Sequence, residues 1–123
     1  MSNERILLVE DEFLVRLTLV EALSDDGFEV LEASSGDEAA TVLERDPSIG
    51  LLMTDIQMPG SLDGRALARR ARELRPDLPV IFMTGRPDTM GSPAADRRDL
   101  FIAKPYLPSE ICAAARKLLA KPG

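Results

Sequence analysis

Polar residues able to take part in chemistry follow four short apolar runs of the sequence: Glu10 and Asp11, Asp55, Thr84, and Lys104, in chain order. Taken singly, each has an ordinary structural explanation, such as an acid near a helix N-terminus, a turn or cap residue, or a solvated lysine. Three carboxylates, a hydroxyl and an ammonium after successive strands are a less ordinary combination. Because ligands bind at the carboxyl ends of the strands in an open α/β sheet, we expect these groups to share one crevice.

The charges of that crevice predict a bound cation. Two carboxylates about 5 Å apart repel by roughly 3 kcal/mol at an effective dielectric constant of 20, so Glu10, Asp11 and Asp55 together are unfavourable without a counter-ion. Lys104 offsets part of this repulsion, and Mg²⁺, which prefers oxygen ligands and can also bind a phosphate, fits the remainder. The sequence has no His and its one Cys, Cys112, lies in a predicted helix, which excludes a zinc site and a Ser-His-Asp hydrolase.

Five segments of strand character must position these residues. Four are continuous apolar runs typical of parallel strands covered by helices on both faces, at residues 6–9, 51–53, 80–83 and 100–103. Residues 28–32 interleave charged with apolar side chains, which is typical of a strand at the edge of a sheet. Since helical stretches separate the strands, the pattern predicts an open, doubly wound α/β sheet.

Helix signals lie between the strand segments. Phe13, Leu17 and Val20 are spaced for one apolar face of a first helix. A left-handed cap after that helix and the starts of three later helices are predicted, in order, at Gly27, Ser35, Asp63 and Pro108. The connection between Thr84 and Leu100 is rich in proline and glycine, so we expect a short or irregular fourth helix there.

Length and composition limit the class of protein. The 123 residues fit one domain over 1–123, and a net charge of −6 argues against a protein that coats nucleic acid. One cysteine cannot form an internal disulfide, and no secretory signal or apolar stretch of about 18 residues is present. We therefore expect a soluble cytoplasmic protein with no membrane partner.

The order of short motifs closely resembles the response-regulator receiver domains of two-component signal transduction. The motifs span essentially the whole chain, and their joint occurrence is specific although each one alone is weak: VEDE (9–12), TDIQMPG (54–60), DG (63–64), MTG (83–85) and KPY (104–106). The resemblance implies a flavodoxin-like receiver fold with a five-stranded parallel sheet in the order 2-1-3-4-5.

The resemblance also implies roles for the residues of the crevice. Asp55 would be the nucleophile that takes a phosphoryl group from a phosphohistidine, and Mg²⁺ would bind Asp11, Asp55 and the backbone carbonyl of Gln57, with Glu10 acting through water. Charge neutralisation by Mg²⁺ and Lys104 suits phosphoryl transfer, which needs positioning more than covalent help.

The phosphoryl oxygens would then be bound by a hydroxyl, a backbone N–H and the ammonium. These belong to Thr84, Gly85 and Lys104. Inward movement of Thr84 would couple to the aromatic residue three positions before the lysine, Phe101, although a buried core phenylalanine is the alternative explanation for that residue.

Three functions remain open from the sequence. The first is a stand-alone receiver, not an enzyme for external substrates, that acts as a switch, phosphate shuttle or phosphate sink. Its partners would be a sensor histidine kinase or histidine phosphotransfer protein and a downstream protein, and it would be a monomer or weak dimer. The second is a Mg²⁺-dependent aspartyl-phosphate phosphatase, which Gln57 disfavours because such enzymes typically place a second Asp there. The third is an interaction module that works without phosphorylation.

Overall fold

Five strands form one parallel sheet in the computed structural model, which describes residues 5–85 and 98–119. The strands are β1 (Arg5–Val9), β2 (Glu29–Ala33), β3 (Ile49–Asp55), β4 (Val80–Thr84) and β5 (Asp99–Ala103). Their order in the sheet is β2-β1-β3-β4-β5, which confirms the predicted order. The charged and apolar residues that alternate in β2 lie at an edge, as the sequence indicated, and this arrangement is the flavodoxin-like one.

Four described helices connect or follow the strands: α1 (Phe13–Asp25), α2 (Gly36–Arg45), α3 (Gly64–Leu74) and α4 (Pro108–Leu119). The predicted caps are present at two of them, because Ser35 Oγ accepts the N–H of Glu38 at 3.1 Å and Asp63 Oδ1 accepts the N–H of Ala66 at 2.9 Å. Pro108 begins α4, where its missing N–H costs no helical hydrogen bond.

The core lies in two layers, one on each face of the sheet. Neighbouring residues of a strand face opposite layers, as with Leu7 and Leu8 of β1. Leu43 and Leu67, from α2 and α3, pack in the first layer, and α1 and α4 contribute to the second. Fully burying one such leucine side chain contributes about 1.5–3 kcal/mol, so the two layers fix the sheet from both sides.

The apolar face predicted for α1 is only partly the buried one, because Val20 packs against the core but Phe13 and Leu17 are exposed. Leu19 and Leu23 are the buried residues of this helix, whereas Phe13 is 62% exposed and Leu17 is 40% exposed. Apolar residues surround α1 on nearly every side at its N-terminal end, so their spacing does not distinguish one inward face. The sheet decides which of them are covered.

The short or irregular fourth helix predicted between Thr84 and Leu100 falls on residues 86–97, outside the described residues, and stays a prediction. Gly27 has a φ of 95°, which confirms the left-handed cap expected after α1. Within residues 5–85 and 98–119, no helix combines the length and apolar character needed to cross a lipid bilayer.

Candidate functional site

The carboxyl ends of four neighbouring strands bring the predicted residues together. Val9 pairs with Thr54, and Asp55 pairs with Met83. Since β5 lies beside β4, the residue after β5 also comes to the same edge: Lys104 donates its backbone N–H to the carbonyl of Thr84 at 2.7 Å. The acidic residues after β1, the aspartate ending β3 and the lysine after β5 therefore meet at one end of the sheet.

The meeting point is an acidic pocket. Glu10, Asp11 and Asp55 each offer a carboxylate oxygen within 4.8 Å of the others. The Nζ of Lys104 lies 2.8 Å from Asp55 Oδ1, and this ion pair joins a buried carboxylate to a partly exposed ammonium. Asp55 is 3% exposed and Glu10 is 1% exposed, whereas Asp11 lies at the surface. The pocket is thus open on the Asp11 side and closed behind Glu10.

Glu10 is the most constrained of the three acids. Its Oε2 accepts the backbone N–H of Glu12 at 3.0 Å, whereas Oε1 is buried and has no hydrogen-bond donor among the described residues. Burial first and the adjacent Asp55 carboxyl second raise the pKa of Glu10, which the N–H of Glu12 and the ammonium of Lys104 lower in part, to about 8. Without another cation, the pocket therefore favours a proton on Glu10 at neutral pH.

The donor set fits a divalent metal ion. When all three acids are ionised, three carboxylates against one ammonium leave two uncompensated negative charges, which one Mg²⁺ would balance. Oε1 of Glu10 is buried and accepts no hydrogen bond from the described residues. Such an ion, or a water bound to it, would supply the missing partner. All the candidate ligands are hard oxygen atoms, which suits Mg²⁺ better than zinc or copper.

A hydroxyl group lies beside the acids, at the end of β4. Thr84 is 1% exposed, and its Oγ1 donates to the side-chain carbonyl of Gln57 at 3.1 Å. Gly85 follows with an exposed backbone, and a Cβ added there would lie 4.0 Å from the Cβ of Lys104. The hydroxyl, the Gly85 backbone and the lysine predicted to bind phosphate thus lie at the same edge of the sheet as Asp55.

Phe101, the predicted switch residue, lies on β5 and is partly buried. Its ring stacks on that of Phe82 from β4, with centroids 5.0 Å apart. The guanidinium carbon of Arg65 lies 5.6 Å from the centroid of Phe101, which places a cation against the ring. These contacts show that the Phe101 side chain points inward in this structure. The switching role of Phe101 stays a prediction.

Gly64 is a structural requirement of the site that the sequence did not single out beyond its place in a motif. Its N–H donates to the carbonyl of Ile56 at 2.9 Å. A Cβ at this position would lie 2.0 Å from the backbone oxygen of Asp55. Because the atoms that this Cβ would meet belong to the backbone of Asp55 and Ile56 and not to a flexible side chain, α3 can begin here only with glycine. The signal in the sequence was the glycine after the helix-capping Asp63.

The chain is similar to known signalling proteins. The model of the response regulator receiver domain family matches residues 6–116. The response regulator receiver protein CpdR of Brucella abortus (strain 2308) is 41% identical over 105 residues, which cover 84% of this chain and 86% of that protein.

Two further similar proteins differ in how much of their own length this chain matches. The aerobic respiration control protein ArcA of Escherichia coli (strain K12) is 35% identical over 123 residues, which cover 98% of this chain and 50% of that protein. The chain thus spans about half the length of ArcA. The crystal structure of a response regulator receiver protein from Sinorhizobium medicae WSM419 matches with a TM-score of 0.81 at 31% identity, over 94% of this chain and 93% of that one.

Proposed function

The chain belongs to the response-regulator receiver family of two-component systems, and we propose that it accepts a phosphoryl group on Asp55 from a phosphohistidine donor. Receiver domains are signalling modules, and the finer proposal is carried by one observation. The Asp55 carboxylate is held at 2.8 Å from the Lys104 ammonium, beside Glu10 and Asp11 in a pocket of uncompensated negative charge.

The chemistry assigns one role to each group. An oxygen of Asp55 attacks phosphorus as the P–N bond to the donor imidazole breaks, so a P–O bond forms and the imidazole leaves with the electron pair and takes up a proton. Asp11, Asp55 and the backbone carbonyl of Gln57 would hold Mg²⁺ directly, and Glu10 would hold it through water. When bound, Mg²⁺ neutralises charge on the phosphoryl oxygens, and Lys104 contributes the remaining positive charge.

The signal would begin at the hydroxyl end of the pocket. A phosphoryl group on Asp55 adds negative charge and strong acceptor oxygens, and each charge-assisted hydrogen bond to it contributes about 1.5–3 kcal/mol. Thr84 and the N–H of Gly85 are the donors that we assign to those oxygens. Since Thr84 donates to Gln57 in the present arrangement, phosphorylation would exchange that bond for one to the phosphoryl group. Phe101 would follow Thr84 and change the surface that a protein partner meets.

A small phosphodonor tests the proposal. The protein is incubated with Mg²⁺ and acetyl phosphate, and intact masses of wild type and Asp55→Asn are compared over time. We expect a single labile phosphoryl adduct on wild type and none on Asp55→Asn, because the amide oxygen is a far weaker nucleophile. Adducts of equal yield on both proteins would contradict the assignment of Asp55.

The same experiment separates the two other functions. Rapid multiple turnover of the donor would favour an aspartyl-phosphate phosphatase, although Gln57 stands where such enzymes typically place their general acid. Absence of any adduct would favour an interaction module that works without phosphorylation. The buried, cation-paired Asp55 disfavours that third function, because an unused site would gain nothing from clustered carboxylates.

The partners follow from the proposed chemistry. A sensor histidine kinase or a histidine phosphotransfer protein would supply the phosphoryl group, and a downstream protein would read it. We further propose that the domain of residues 1–123 acts by itself as a switch, phosphate shuttle or phosphate sink. The similarity to CpdR supports this, because the match covers 86% of that receiver protein. Incubation with a purified, phosphorylated kinase, followed by mass analysis of the chain, measures whether the chain accepts the phosphoryl group from a phosphohistidine.

A further inference from the structure

Arg16 connects the second turn of α1 to the end of β1. Its side chain is 15% exposed, and its NH1 donates to the backbone carbonyl of Glu10 at 2.7 Å. Its Nε lies 3.1 Å from Oε1 of Glu32 on β2, which is half exposed. The guanidinium is therefore held between an acid on β2 and the backbone oxygen of a residue whose side chain lines the acidic pocket.

That backbone oxygen lies where the strand no longer fixes it. The pairing between β1 and β2 ends at Val9 and Ala33, and the N–H of Glu10 still donates to the carbonyl of Ala33 at 3.1 Å. The carbonyl of Glu10 lies one peptide beyond this ladder. Because a peptide unit is planar, the orientation of this carbonyl also sets where the Cα of Asp11 lies.

We propose that Arg16 is a positioning residue for the two acids of the metal site, and this inference rests on the proposed function. By binding the carbonyl of Glu10, the guanidinium fixes the peptide that joins Glu10 to Asp11, and thereby the directions in which both carboxylates leave the backbone. Arg16 is not one of the proposed metal ligands and acts through the backbone. Groups that orient metal ligands in this way typically change metal affinity by about 10–100-fold when they are replaced.

The chain contains a matched control residue, an arginine that also binds backbone carbonyls but lies far from the acidic pocket. Arg75, just after α3, donates through NH2 to the carbonyls of Leu43 at 2.8 Å and Asp46 at 2.6 Å. Like Arg16, it is a partly buried arginine bound to backbone oxygen. It lies before β4 begins, at the end of the sheet opposite the acidic pocket. Replacing it tests the loss of such a tie without affecting the site.

The experiment compares Arg16→Lys and Arg75→Lys with wild type. Lysine keeps the charge but cannot bind the carbonyl of Glu10 and the carboxylate of Glu32 in the same fork geometry. Mg²⁺ affinity is measured by calorimetry, thermal melting checks the fold, and hydrogen exchange of the Glu12 amide is followed in the metal-free protein. That amide donates to Oε2 of Glu10 and so reports where the Glu10 side chain lies.

We expect Arg16→Lys to bind Mg²⁺ about tenfold more weakly and to exchange the Glu12 amide faster, whereas Arg75→Lys matches wild type in both. Phosphorylation of Arg16→Lys by acetyl phosphate should be slower than that of wild type at low Mg²⁺ and should recover at saturating Mg²⁺, because the catalytic groups remain. If Arg16→Lys does not fold, Arg16→Gln replaces it in the same comparison.

Two results have distinct meanings. A folded Arg16 variant with the Mg²⁺ affinity and Glu12 exchange of wild type would overturn the positioning role and leave the proposed function intact. A wild type that binds no Mg²⁺ would overturn the metal site of the proposed function, and the positioning role with it.

Discussion

Among single residues, Glu10 decides how the pocket behaves without a metal ion. Its pKa is raised from 4.5 to about 8, first by burial and then by the neighbouring Asp55 carboxyl. The unfolded chain releases this proton near the ordinary value, whereas the native chain keeps it. Burial and the Asp55 carboxyl therefore favour the protonated form of Glu10 in the native chain.

This shift predicts how stability depends on pH. A group with a raised native pKa contributes stability that is fully present below its unfolded pKa and is lost as pH rises through the native one. For Glu10 the loss extends from pH 4.5 to about 8. We expect thermal melts of metal-free protein to show a melting temperature that falls over this range, by about 4 °C for each kcal/mol lost.

Glu10→Gln supplies the control for that titration. The amide keeps the shape of the side chain without the ionisable group, so the fall should be much smaller in this variant. Adding Mg²⁺ to wild type should also reduce the fall, because the cation stabilises the ionised form. Parallel pH profiles for wild type and Glu10→Gln would contradict the assignment of the titration to Glu10.

Lys104 leads to a second prediction for one residue. Lys104→Ala removes the ammonium 2.8 Å from Asp55, so repulsion among the carboxylates increases. Since the Lys104 side chain is 37% exposed and solvent screens the pair, we expect a loss of about 1–2 kcal/mol in the free energy of unfolding without Mg²⁺, and less with it.

Urea unfolding with and without Mg²⁺ measures this difference. Lys117→Ala, which removes an exposed lysine in the last turn of α4, controls for the loss of one positive charge. Equal losses in both Mg²⁺ conditions would mean that Lys104 and the cation do not share the same negative charge.

Among helices and strands, the sequence predicts the elements better than their contacts. The strand segments, the left-handed Gly27 and the start of α4 at Pro108 are all present, because local signals specify them. Two of the three residues predicted for the apolar face of α1 are exposed, because the N-terminal half of this helix is apolar on several sides. The tie from Arg16 to the carbonyl of Glu10 carries no local signal, since it exists only when α1 packs back on the end of β1.

The start of α3 leads to a prediction about backbone contact. Gly64→Ala places a methyl group 2.0 Å from the carbonyl oxygen of Asp55, so α3 or the end of β3 must move. We expect a loss of more than about 2 kcal/mol in the free energy of unfolding, measured in urea, together with slower phosphorylation of Asp55.

Gly85→Ala serves as the stability comparison for that variant. A methyl group there meets nothing closer than the Cβ of Lys104 at 4.0 Å, an ordinary contact distance. Its free energy of unfolding should stay close to that of wild type. If both alanine variants were equally stable, the close approach of Gly64 to the Asp55 backbone would not be a constraint.

For the whole molecule, the sequence predicts which residues form the candidate site but not their distances and burial. Glu10, Asp55, Thr84 and Lys104 were each singled out because they follow an apolar run of the sequence, and parallel strands end at one edge of a sheet. The depth of Glu10, the orphaned Oε1 and the ion pair at 2.8 Å depend on strand register and twist. Those properties arise from pairings between segments far apart in the chain.

The acidic pocket takes its groups from positions 10 to 104, so most strands of the sheet must pair before the pocket exists. Any ligand that occupies it therefore binds the native ensemble and has almost no counterpart in the unfolded one. By thermodynamic linkage, a ligand at ten times its dissociation constant would shift the folding equilibrium by about 1.4 kcal/mol. Occupancy of this pocket would thus govern the lifetime of the chain against proteolysis as well as its readiness for phosphoryl transfer.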